Sequence, residues 1–377
     1  MVTRILIMAG GTGGHVFPAL AVADELRARG VEVVWLGTRR GLEADVVPRA
    51  GIDMEWITIR GLRGKGALGW VLAPFRILLA MLQTVIVIMR RRPMAVLGMG
   101  GFVTGPGGIV SWLLRKPLLI HEQNAIAGLT NRLLAPLANR VMAAFPGLLA
   151  QRSNAVTTGN PVRKAIAGLP PPEQRFADRQ GALRLLVLGG SLGAESLNTT
   201  VPDALRLLPE AQRPEVWHQT GRANADRTGN RYQQNGVTAR ADAFIDDMAA
   251  AYAWADLVVC RAGALTVAEL ATAGIGSILV PYPFAVDDHQ THNAAWLVDA
   301  GAAILVPQNE LTPALLAKLL TDFFAAGGEQ PGTKLPPMVW LARARERLLD
   351  MACAARQLAR PDAAAVVANL CMEAAHA

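Results

Sequence analysis

The stretch GGTGGHVFPALAVADEL, residues 10–26, decides the fold class of this 377-residue chain. It directly follows a short apolar run, ILIMA, so the order strand, glycine turn, helix is predicted. Glycines let the backbone turn tightly and bring its N–H groups against an anion, and the helix N-terminus adds partial positive charge. His15 stands in this turn and is able to take a proton near neutral pH. The spacing differs from G-x-G-x-x-G, so a nicotinamide cofactor is not expected.

The same pattern occurs again in RLLVLGGSLG, residues 184–193, where Ser191 takes the position of Thr12. Further strand-like runs alternate with amphipathic helical stretches, which is typical of parallel sheets covered by helices. An α/β fold with two Rossmann-like domains is therefore predicted. One large doubly wound sheet is the alternative, and the length of the chain favours two domains.

Composition narrows the class of protein. The chain is 52% hydrophobic and 5% aromatic, and its net charge of +7 indicates acidic partners such as phosphates or an anionic membrane. No nucleic-acid-binding motif is found, so nucleic acid is not an expected partner. The N-terminal apolar run is too short for a signal peptide. The cysteines form no C-x-x-C pair and do not have the spacing of metal ligands, which indicates a reduced, cytosolic compartment. The three cysteines are Cys260, Cys353 and Cys371.

Residues 70–89 include a single charge and resemble a membrane span in length. Pro74 is predicted to begin a helix, on which Arg76, Gln83 and Arg90 line one narrow polar stripe. A buried core helix and a true transmembrane helix are the alternatives. We expect a helix that is partly buried and partly exposed as a membrane-surface patch, with cationic flanks and a second apolar run, IVSWLLRK. The residues predicted to face the membrane are Phe75, Leu78, Leu79, Leu82 and Trp112.

Two polar motifs follow predicted strands in the first half. GMGGFVTGPGG, residues 98–108, is predicted to form a second anion cradle. HEQN, residues 121–124, ends a strand at the sheet edge where ligands bind, although Asn124 is also suited to capping the next helix.

The second half carries CRAGALTVAEL, residues 260–270, again with the order strand, glycine turn, helix. Helix N-terminal amides near Ala264 are suited to a phosphate, and Glu269 to a ribose diol; a favourable partner for the helix dipole is the alternative for Glu269. The cluster DDHQTHN, residues 287–293, is either a metal site or a sugar-binding loop. Because the sequence has no D-x-D motif, we favour a sugar-binding loop and expect no metal ion at this cluster. Helix termini and Arg163 would then stabilise a diphosphate.

Together these motifs resemble one family. GGTGGHVFPALAVA, GLRGKG (61–66), GMGGFVTGPGG, HEQNAIAGLTN, GNPVR (159–163), GGSLGA, FIDDMAAAYAWAD (244–256), CRAGALTVAEL and DDHQTHNA are similar, in order and spacing, to those of the MurG family. That family transfers N-acetylglucosamine from UDP-N-acetylglucosamine to lipid I, which gives lipid II in peptidoglycan synthesis.

The resemblance implies the GT-B fold, in which two Rossmann-like domains with parallel sheets face each other across a cleft. Residues 1–161 and 340–377 would form the acceptor and membrane-facing domain, and residues 162–339 the UDP-sugar domain. It implies that the backbone of Ile245 contacts the uracil, Ser191 a phosphate, Glu269 the ribose and Gln290 the sugar. The positions that match the family's donor site are Thr12, Gly13, Gly14, Asn124, Arg163, Ser191, Ile245, Ala264, Leu265, Thr266, Val267, Ala268, Glu269 and Gln290. The positions expected to hold the acceptor's pyrophosphate are Gly100, Gly101, Thr104 and Gly105.

The implied reaction is an inverting transfer to the C4 hydroxyl of the lipid-linked muramyl sugar, without metal or cofactor. The general base stays open between His15, the first choice, and Glu122. The implied location is peripheral, on the cytoplasmic face of the bacterial inner membrane, with lipid I and an anionic surface as partners. A UDP-N-acetylglucosamine 2-epimerase of the same fold and a non-enzymatic nucleotide-binding module are the alternatives.

Overall fold

The computed structural model describes residues 2–59, 72–147, 149–190, 193–324 and 337–377. The chain forms two compact units, Met1–Lys164 with Arg360–Ala377, and Ala165–Ala359. Each unit has its own parallel sheet, so the prediction of two Rossmann-like domains is confirmed and the single large sheet is wrong. The second unit includes residues 340–359, which the sequence analysis assigned to the first domain. The helix Pro337–Gln357 accounts for this difference, because it packs on helices and a strand of the second unit.

The first sheet has seven parallel strands in the order β3-β2-β1-β4-β5-β6-β7. Its strands are β1 Arg4–Met8, β2 Glu32–Gly37, β3 Asp53–Trp56, β4 Ala95–Gly98, β5 Leu118–Glu122, β6 Arg140–Ala143 and β7 Ala155–Thr157. The helices of the first half are α1 Gly13–Ala28, α2 Glu43–Arg49, α3 Ala73–Arg91, α4 Thr104–Leu113 and α5 Leu129–Leu134.

The second sheet has six parallel strands in the order β10-β9-β8-β11-β12-β13. Its strands are β8 Arg184–Leu188, β9 Glu215–Gln219, β10 Ala239–Asp242, β11 Leu257–Cys260, β12 Gly276–Leu279 and β13 Ala303–Leu305. The remaining helices are α6 Lys164–Ala167, α7 Pro172–Ala177, α8 Glu195–Leu207, α9 Ala225–Gln234, α10 Met248–Trp254, α11 Ala264–Ala273, α12 His289–Val298, α13 Pro313–Phe324, α14 Pro337–Gln357 and α15 Ala363–His376, with single 3-10 turns at Glu210–Gln212 and Val286–Asp288.

Strand β1 shows why an unbroken apolar run forms the centre of a covered sheet. Ile5 and Ile7 lie in a core with residues of α1 and α15, whereas Leu6 and Met8 lie in another with residues of α3 and α4. Successive strand residues point to opposite faces, and helices cover both faces of this parallel sheet. The strand therefore has no polar side and reads as continuous hydrophobic sequence.

Both sheets share one topological feature that fixes where a ligand binds. The first strand of each sheet lies between the second strand and the fourth, as β1 lies between β2 and β4, and β8 between β9 and β11. At this switch point the chain leaves the two central strands in opposite directions, which opens a crevice at their carboxyl ends. The described residues of the loops at these ends are 9–12 and 99–103 in the first sheet, and 189–190, 193–194 and 261–263 in the second.

Candidate active site

A carboxylate that the sequence analysis did not single out holds the first glycine loop. Glu43, at the start of α2, is fully buried, and its Oε2 accepts a hydrogen bond from the Gly11 amide at 2.9 Å. Its Oε1 accepts from the amide and hydroxyl of Thr38, at 3.0 and 2.8 Å. A Cβ on Gly10 would lie 2.7 Å from Glu43 Oε1. Glycine at this position therefore lets the carboxylate approach the loop and fix its path.

The two glycine loops of the first sheet lie against each other. Gly100 and Gly101 have φ values of +99° and +84°, which side chains rarely adopt. A Cβ on Gly101 would lie 2.2 Å from the Gly10 carbonyl oxygen, and one on Gly100 would lie 2.5 Å from His15 Nδ1. The His15 ring is therefore placed beside the second loop. Thr104 is buried, accepts from the Gly100 amide at 3.1 Å and lies within hydrogen-bonding distance of two backbone carbonyls, so its hydroxyl braces this loop.

A chain of hydrogen bonds runs from His15 into the interior of the first unit. His15 Nδ1 lies 3.2 Å from Gln123 Oε1. Gln123 Nε2 donates to the Met99 carbonyl at 2.7 Å and lies 3.2 Å from His121 Nδ1. His121 Nε2 lies 3.0 Å from the Gly159 carbonyl oxygen. Burial lowers the pKa of His121 to about 4, so this histidine is neutral near pH 7.

Glu122, the second candidate for the general base, is nine-tenths buried and engaged on both oxygens. Oε1 accepts from the amide and side chain of Asn124, at 3.0 and 3.3 Å. Oε2 accepts from the Gly128 amide at 3.0 Å and from Asn131 Nδ2 at 2.9 Å. Four donors on one carboxylate hold the turn between β5 and α5. This arrangement favours His15 over Glu122 as the group that takes a proton.

Several of the residues predicted to bind the UDP-sugar donor lie at the start of α1. Thr12 is the N-cap of this helix, and Gly13 and Gly14 are its first residues. The Arg163 guanidinium lies over the ring of Phe17, 5.6 Å from its centroid. The structure thus places a cation beside the helix terminus that follows the first glycine loop, as an anion site requires.

The predicted anion cradle over residues 98–108 is shorter in the structure. Gly107 and Gly108 lie inside α4 rather than in the loop. A Cβ on Gly107 would lie 2.2 Å from Met8 Sδ, and one on Gly108 would lie 2.6 Å from Leu134 Cδ1. These two glycines therefore serve close packing of α4. Gly100, Gly101 and Gly105 remain as loop and first-turn positions where the backbone is able to approach a ligand.

In the second sheet, α11 begins at Ala264 directly after β11. The amide of Val267 donates to the Gly263 carbonyl at 2.9 Å, so the amides of residues 264–266 precede the first intrahelical bond. Glu269 is 4% exposed, and its Oε2 accepts a hydrogen bond from the Tyr252 hydroxyl at 3.0 Å. This buried, hydrogen-bonded carboxylate differs from an exposed glutamate that only interacts with the helix dipole. Val267 and Ala268 have buried side chains, so contacts predicted there involve only backbone.

The loop that contains Ile245 is held by a second glutamine. Gln219, at the end of β9, is buried, and its Oε1 accepts a hydrogen bond from the Ile245 amide at 3.0 Å. Asp247 then caps α10 by accepting from the Ala250 amide at 2.9 Å. The predicted uracil contact at the Ile245 backbone therefore depends on Gln219 for its position.

The 287–293 cluster contacts the loops that follow β11 and β12. Gln290 accepts a hydrogen bond from the Tyr282 amide at 2.8 Å. Asn293 is fully buried, and its Nδ2 donates to the Ala262 carbonyl at 3.2 Å. Asn293 thereby ties α12 to the start of α11, next to the amides of residues 264–266. Over the described parts of the chain, no group of three His, Cys, Asp or Glu side chains is arranged to hold a metal ion.

Two predictions lie outside the described residues. These are Ser191 in the second glycine loop and the GLRGKG motif at residues 61–66.

Helix α3 presents an apolar face to the surface of the first unit. By length and composition it would be able to cross a membrane, the single such helix among the described ranges. Its opposite side, which includes Ala80, Thr84, Val87 and Ile88, is buried. Trp112 and Leu113 at the end of α4 are also exposed. The apolar face of α3 consists of Phe75, Leu78, Leu79, Leu82, Ile86 and Met89, which are 46–69% exposed.

Two members of the predicted polar stripe of α3, Gln83 and Arg90, contact the edge strand β3 and the residues that follow it, whereas the third, Arg76, is exposed. Gln83 Oε1 accepts from the Thr58 amide at 2.7 Å. Arg90 and Arg91 both donate to Glu55, Arg91 from Nε at 2.6 Å. Burial alone would raise the pKa of Glu55, but hydrogen bonds from the two arginines hold it below its ordinary value. Gln83, Arg90 and Arg91 thus hold α3 on the sheet with its apolar face outward.

The fold and these sites define the class of protein. Residues 5–143 match the family model described as glycosyltransferase family 28 N-terminal domain, and residues 184–331 match that of the glycosyltransferase family 28 C-terminal domain. The chain is therefore a glycosyltransferase with the GT-B fold. Each family model covers most or all of the strands of one of the two sheets and includes its switch point.

The particular family follows from full-length relatives. The chain is 58% identical over 375 residues to the UDP-N-acetylglucosamine–N-acetylmuramyl-(pentapeptide) pyrophosphoryl-undecaprenol N-acetylglucosamine transferase of Nitrosococcus oceani, covering 100% of this chain and 99% of that protein. It is 39% identical to the crystal structure of Acinetobacter baumannii MurG, with a TM-score of 0.79 and 98% and 99% of the two chains covered. The chain belongs to the MurG family.

The epimerase alternative shares only the fold. A crystal structure of a UDP-N-acetylglucosamine 2-epimerase covers 100% of this chain and 98% of its own, with a TM-score of 0.62 and 13% identity. The transferase prediction is confirmed at the level of the family.

Five side chains that organise the site were not assigned these roles from sequence: Glu43, Gln123, Gln219, Tyr252 and Asn293. Gln123, Tyr252 and Asn293 lie within motifs that were quoted for the resemblance. Each acts on the backbone or on another side chain, and only the fold brings those partners within reach. Glu43 lies outside every quoted motif, and its single signal was a glutamate in a helix first turn.

Proposed function

We propose that this chain transfers N-acetylglucosamine from UDP-N-acetylglucosamine to the C4 hydroxyl of undecaprenyl-pyrophosphoryl-N-acetylmuramyl pentapeptide, the step from lipid I to lipid II in peptidoglycan synthesis. The observation that carries the proposal is the full-length match to a relative named for this reaction. The contacts at the two switch points support it, because each sheet presents glycine-loop and helix N-terminal amides where anionic groups bind.

In the proposed reaction the acceptor C4 oxygen forms a bond to the anomeric carbon of the donor. The bond from that carbon to the diphosphate oxygen breaks, and UDP leaves from the opposite face, which inverts the configuration. His15 takes the proton of the hydroxyl. The contacts of Glu122 support this assignment, since its oxygens already accept four hydrogen bonds within the chain.

The second sheet is proposed to hold the UDP moiety. The amides of residues 264–266 are proposed to bind phosphate oxygens, and Glu269, which accepts a hydrogen bond from Tyr252, is proposed to bind the ribose hydroxyls. Gln219 positions the Ile245 backbone for the uracil, and Gln290 serves the sugar. Arg163 and the start of α1 supply positive charge to the leaving diphosphate.

The acceptor's lipid remains in the bilayer, so the enzyme has to work at that surface. The apolar face of α3, with Trp112, is proposed to dock on the cytoplasmic face of the inner membrane. The side chains of Arg76, Arg92 and Arg115 are exposed near this face. An amphipathic helix with cationic neighbours is suited to lying in the interface of an anionic membrane. The protein would then be peripheral rather than membrane-spanning.

The proposal is tested by incubating the protein with UDP-N-acetylglucosamine and a soluble lipid I analogue. We expect release of UDP and formation of the disaccharide product only when both substrates are present. Epimerised donor without acceptor would contradict the proposal in favour of an epimerase. Donor binding without any turnover would contradict it in favour of a binding module.

The transfer is expected to continue in the presence of EDTA. The amides of residues 264–266 and the Arg163 guanidinium are the groups proposed to take the diphosphate charge. The measurement is the rate of UDP release with and without chelator. A rate that is lost in EDTA and restored by magnesium or manganese would show that a metal ion takes part.

A further inference from the structure

The hydrogen-bond chain of the first unit contains enough fixed points to assign every proton in it. It begins and ends on backbone carbonyls, of Met99 and Gly159, and carbonyl oxygens only accept. Between them lie the buried side chains of Gln123 and His121, and His15 is joined to this chain through Gln123 Oε1.

The orientation of the Gln123 amide is fixed by Met99. The nitrogen Nε2 lies 2.7 Å from the Met99 carbonyl oxygen. If the amide were flipped, two oxygens that only accept would lie against each other without a hydrogen between them. Gln123 Oε1 is therefore the atom that lies 3.2 Å from His15 Nδ1. The Met99 carbonyl is itself well placed, since the Met99 amide donates to the Met8 carbonyl at 2.8 Å.

The tautomer of His121 agrees with this orientation. His121 Nε2 lies 3.0 Å from the Gly159 carbonyl oxygen, so Nε2 carries the proton. Burial keeps the ring neutral, and Nδ1 is then an acceptor. It receives the second hydrogen of Gln123 Nε2 at 3.2 Å. Both hydrogens of the Gln123 amide are thus used, one on Met99 and one on His121.

We infer that Gln123 is a positioning residue that sets the tautomer of His15. Gln123 Oε1 only accepts, so His15 Nδ1 carries the proton in the neutral ring and Nε2 is the nitrogen able to accept one. The same contact orients the ring beside Gly100. The expected effect on kcat rests on the proposed function, because there Nε2 of His15 is the atom that takes the proton of the acceptor hydroxyl.

The inference has a direct spectroscopic test on the complete wild-type protein. Long-range proton–nitrogen NMR spectra of protein labelled with 15N-histidine distinguish protonated from unprotonated ring nitrogens. His15 is assigned by the signals that disappear in His15→Ala, and the pH is raised until its shifts stop changing. We expect Nδ1 to be protonated and Nε2 unprotonated. A neutral His15 with the proton on Nε2 would overturn the inference without any substrate.

The variant Gln123→Met tests whether Gln123 sets the tautomer of His15. Methionine keeps the length of the side chain and removes both polar atoms, so the His15 ring loses its tautomer preference. We expect mixed His15 tautomers and a fall in kcat of roughly 10- to 100-fold with little change in donor KM, less than loss of the base itself. Unchanged kcat, or an unchanged Nδ1–H signal, would overturn the inference.

The control variant is Tyr232→Phe. It removes another buried hydrogen bond to a histidine, between the Tyr232 hydroxyl and His218 Nδ1 at 2.9 Å, in the second unit. It is expected to lower the melting temperature while leaving kcat and the His15 signals unchanged. If Tyr232→Phe lowers kcat as much as Gln123→Met does, the effect is one of stability and the inference is wrong. Absence of turnover in the wild type would instead contradict the proposed function, and the tautomer spectrum would still stand alone.

Discussion

The two sheets have the same strand order around their switch points but present different chemistry there. In the first sheet the glycine loops surround His15, whose ring nitrogen is tied through Gln123 to a buried, neutral His121. In the second sheet the corresponding place offers helix amides and a buried Glu269 bonded to Tyr252. The comparison teaches that topology fixes where a ligand binds, whereas a few side chains decide whether that place transfers a proton or holds a nucleotide.

The largest expected effect comes from removing the proposed base of the first sheet. His15→Ala should lower kcat by about 10²–10⁴-fold, the range typical of a general base. Glu122→Gln sharpens the assignment: we expect a smaller loss of kcat together with a lower melting temperature, because Glu122 holds its loop through four hydrogen bonds. Steady-state kinetics and thermal melts of both variants provide the check. A larger loss of kcat in Glu122→Gln would reverse the two roles.

The second-largest expected effect is a rise of the donor KM in variants of the second sheet. Glu269→Ala should raise the donor KM by about 10- to 100-fold, as loss of hydrogen bonds to a charged group predicts. Tyr252→Phe keeps the carboxylate and removes only the donor that orients it, so a smaller rise of KM is expected. The measurement is the donor KM with acceptor saturating. A Glu269→Ala protein that melts several degrees lower with unchanged KM would show that the glutamate is structural.

Membrane docking should give a smaller, salt-dependent effect. Replacing Leu79 and Leu82 with Gln should weaken binding to anionic vesicles about tenfold, since the two leucines, each only partly withdrawn from water, together contribute roughly 1–2 kcal/mol. Binding of the unaltered protein should weaken as salt rises. Leu207→Gln, at another exposed leucine on the second unit, is the matched control. If the double variant binds vesicles as before, or loses activity on a soluble acceptor as well, the apolar face of α3 is not the docking surface.

The smallest effect concerns how α3 is fixed to its sheet. Hydrogen bonds from Arg91 and Arg90, working against burial, hold the pKa of Glu55 below its ordinary value of 4.5. The stabilisation is therefore fully present above about pH 4.5 and decreases as the pH falls through the lowered pKa. Glu55→Gln should melt lower at pH 7 and show a shallower loss of stability between pH 5 and 3 than wild type, by calorimetry. Parallel pH profiles of the two proteins would contradict this.

The sequence predicted the elements that depend on local pattern. The glycine turns after apolar strands, the helix predicted to begin at Pro74, which begins at Ala73, and the exposure of its apolar face all follow from periodicity and turn residues. The position of helix Pro337–Gln357 in the second unit did not, because amphipathicity does not say which core a helix covers. Glu43 and Gln123 were missed for the same reason: their partners lie on other elements, and only the folded chain brings them together.

The central claim is that the first sheet carries the proton transfer and the second carries the nucleotide. The most direct measurement is the affinity for UDP of wild type, His15→Ala and Glu269→Ala by calorimetric titration. We predict that His15→Ala binds UDP as wild type does, while Glu269→Ala binds it about 10- to 100-fold more weakly. Loss of UDP affinity in His15→Ala, with normal affinity in Glu269→Ala, would contradict the division of roles between the two sheets.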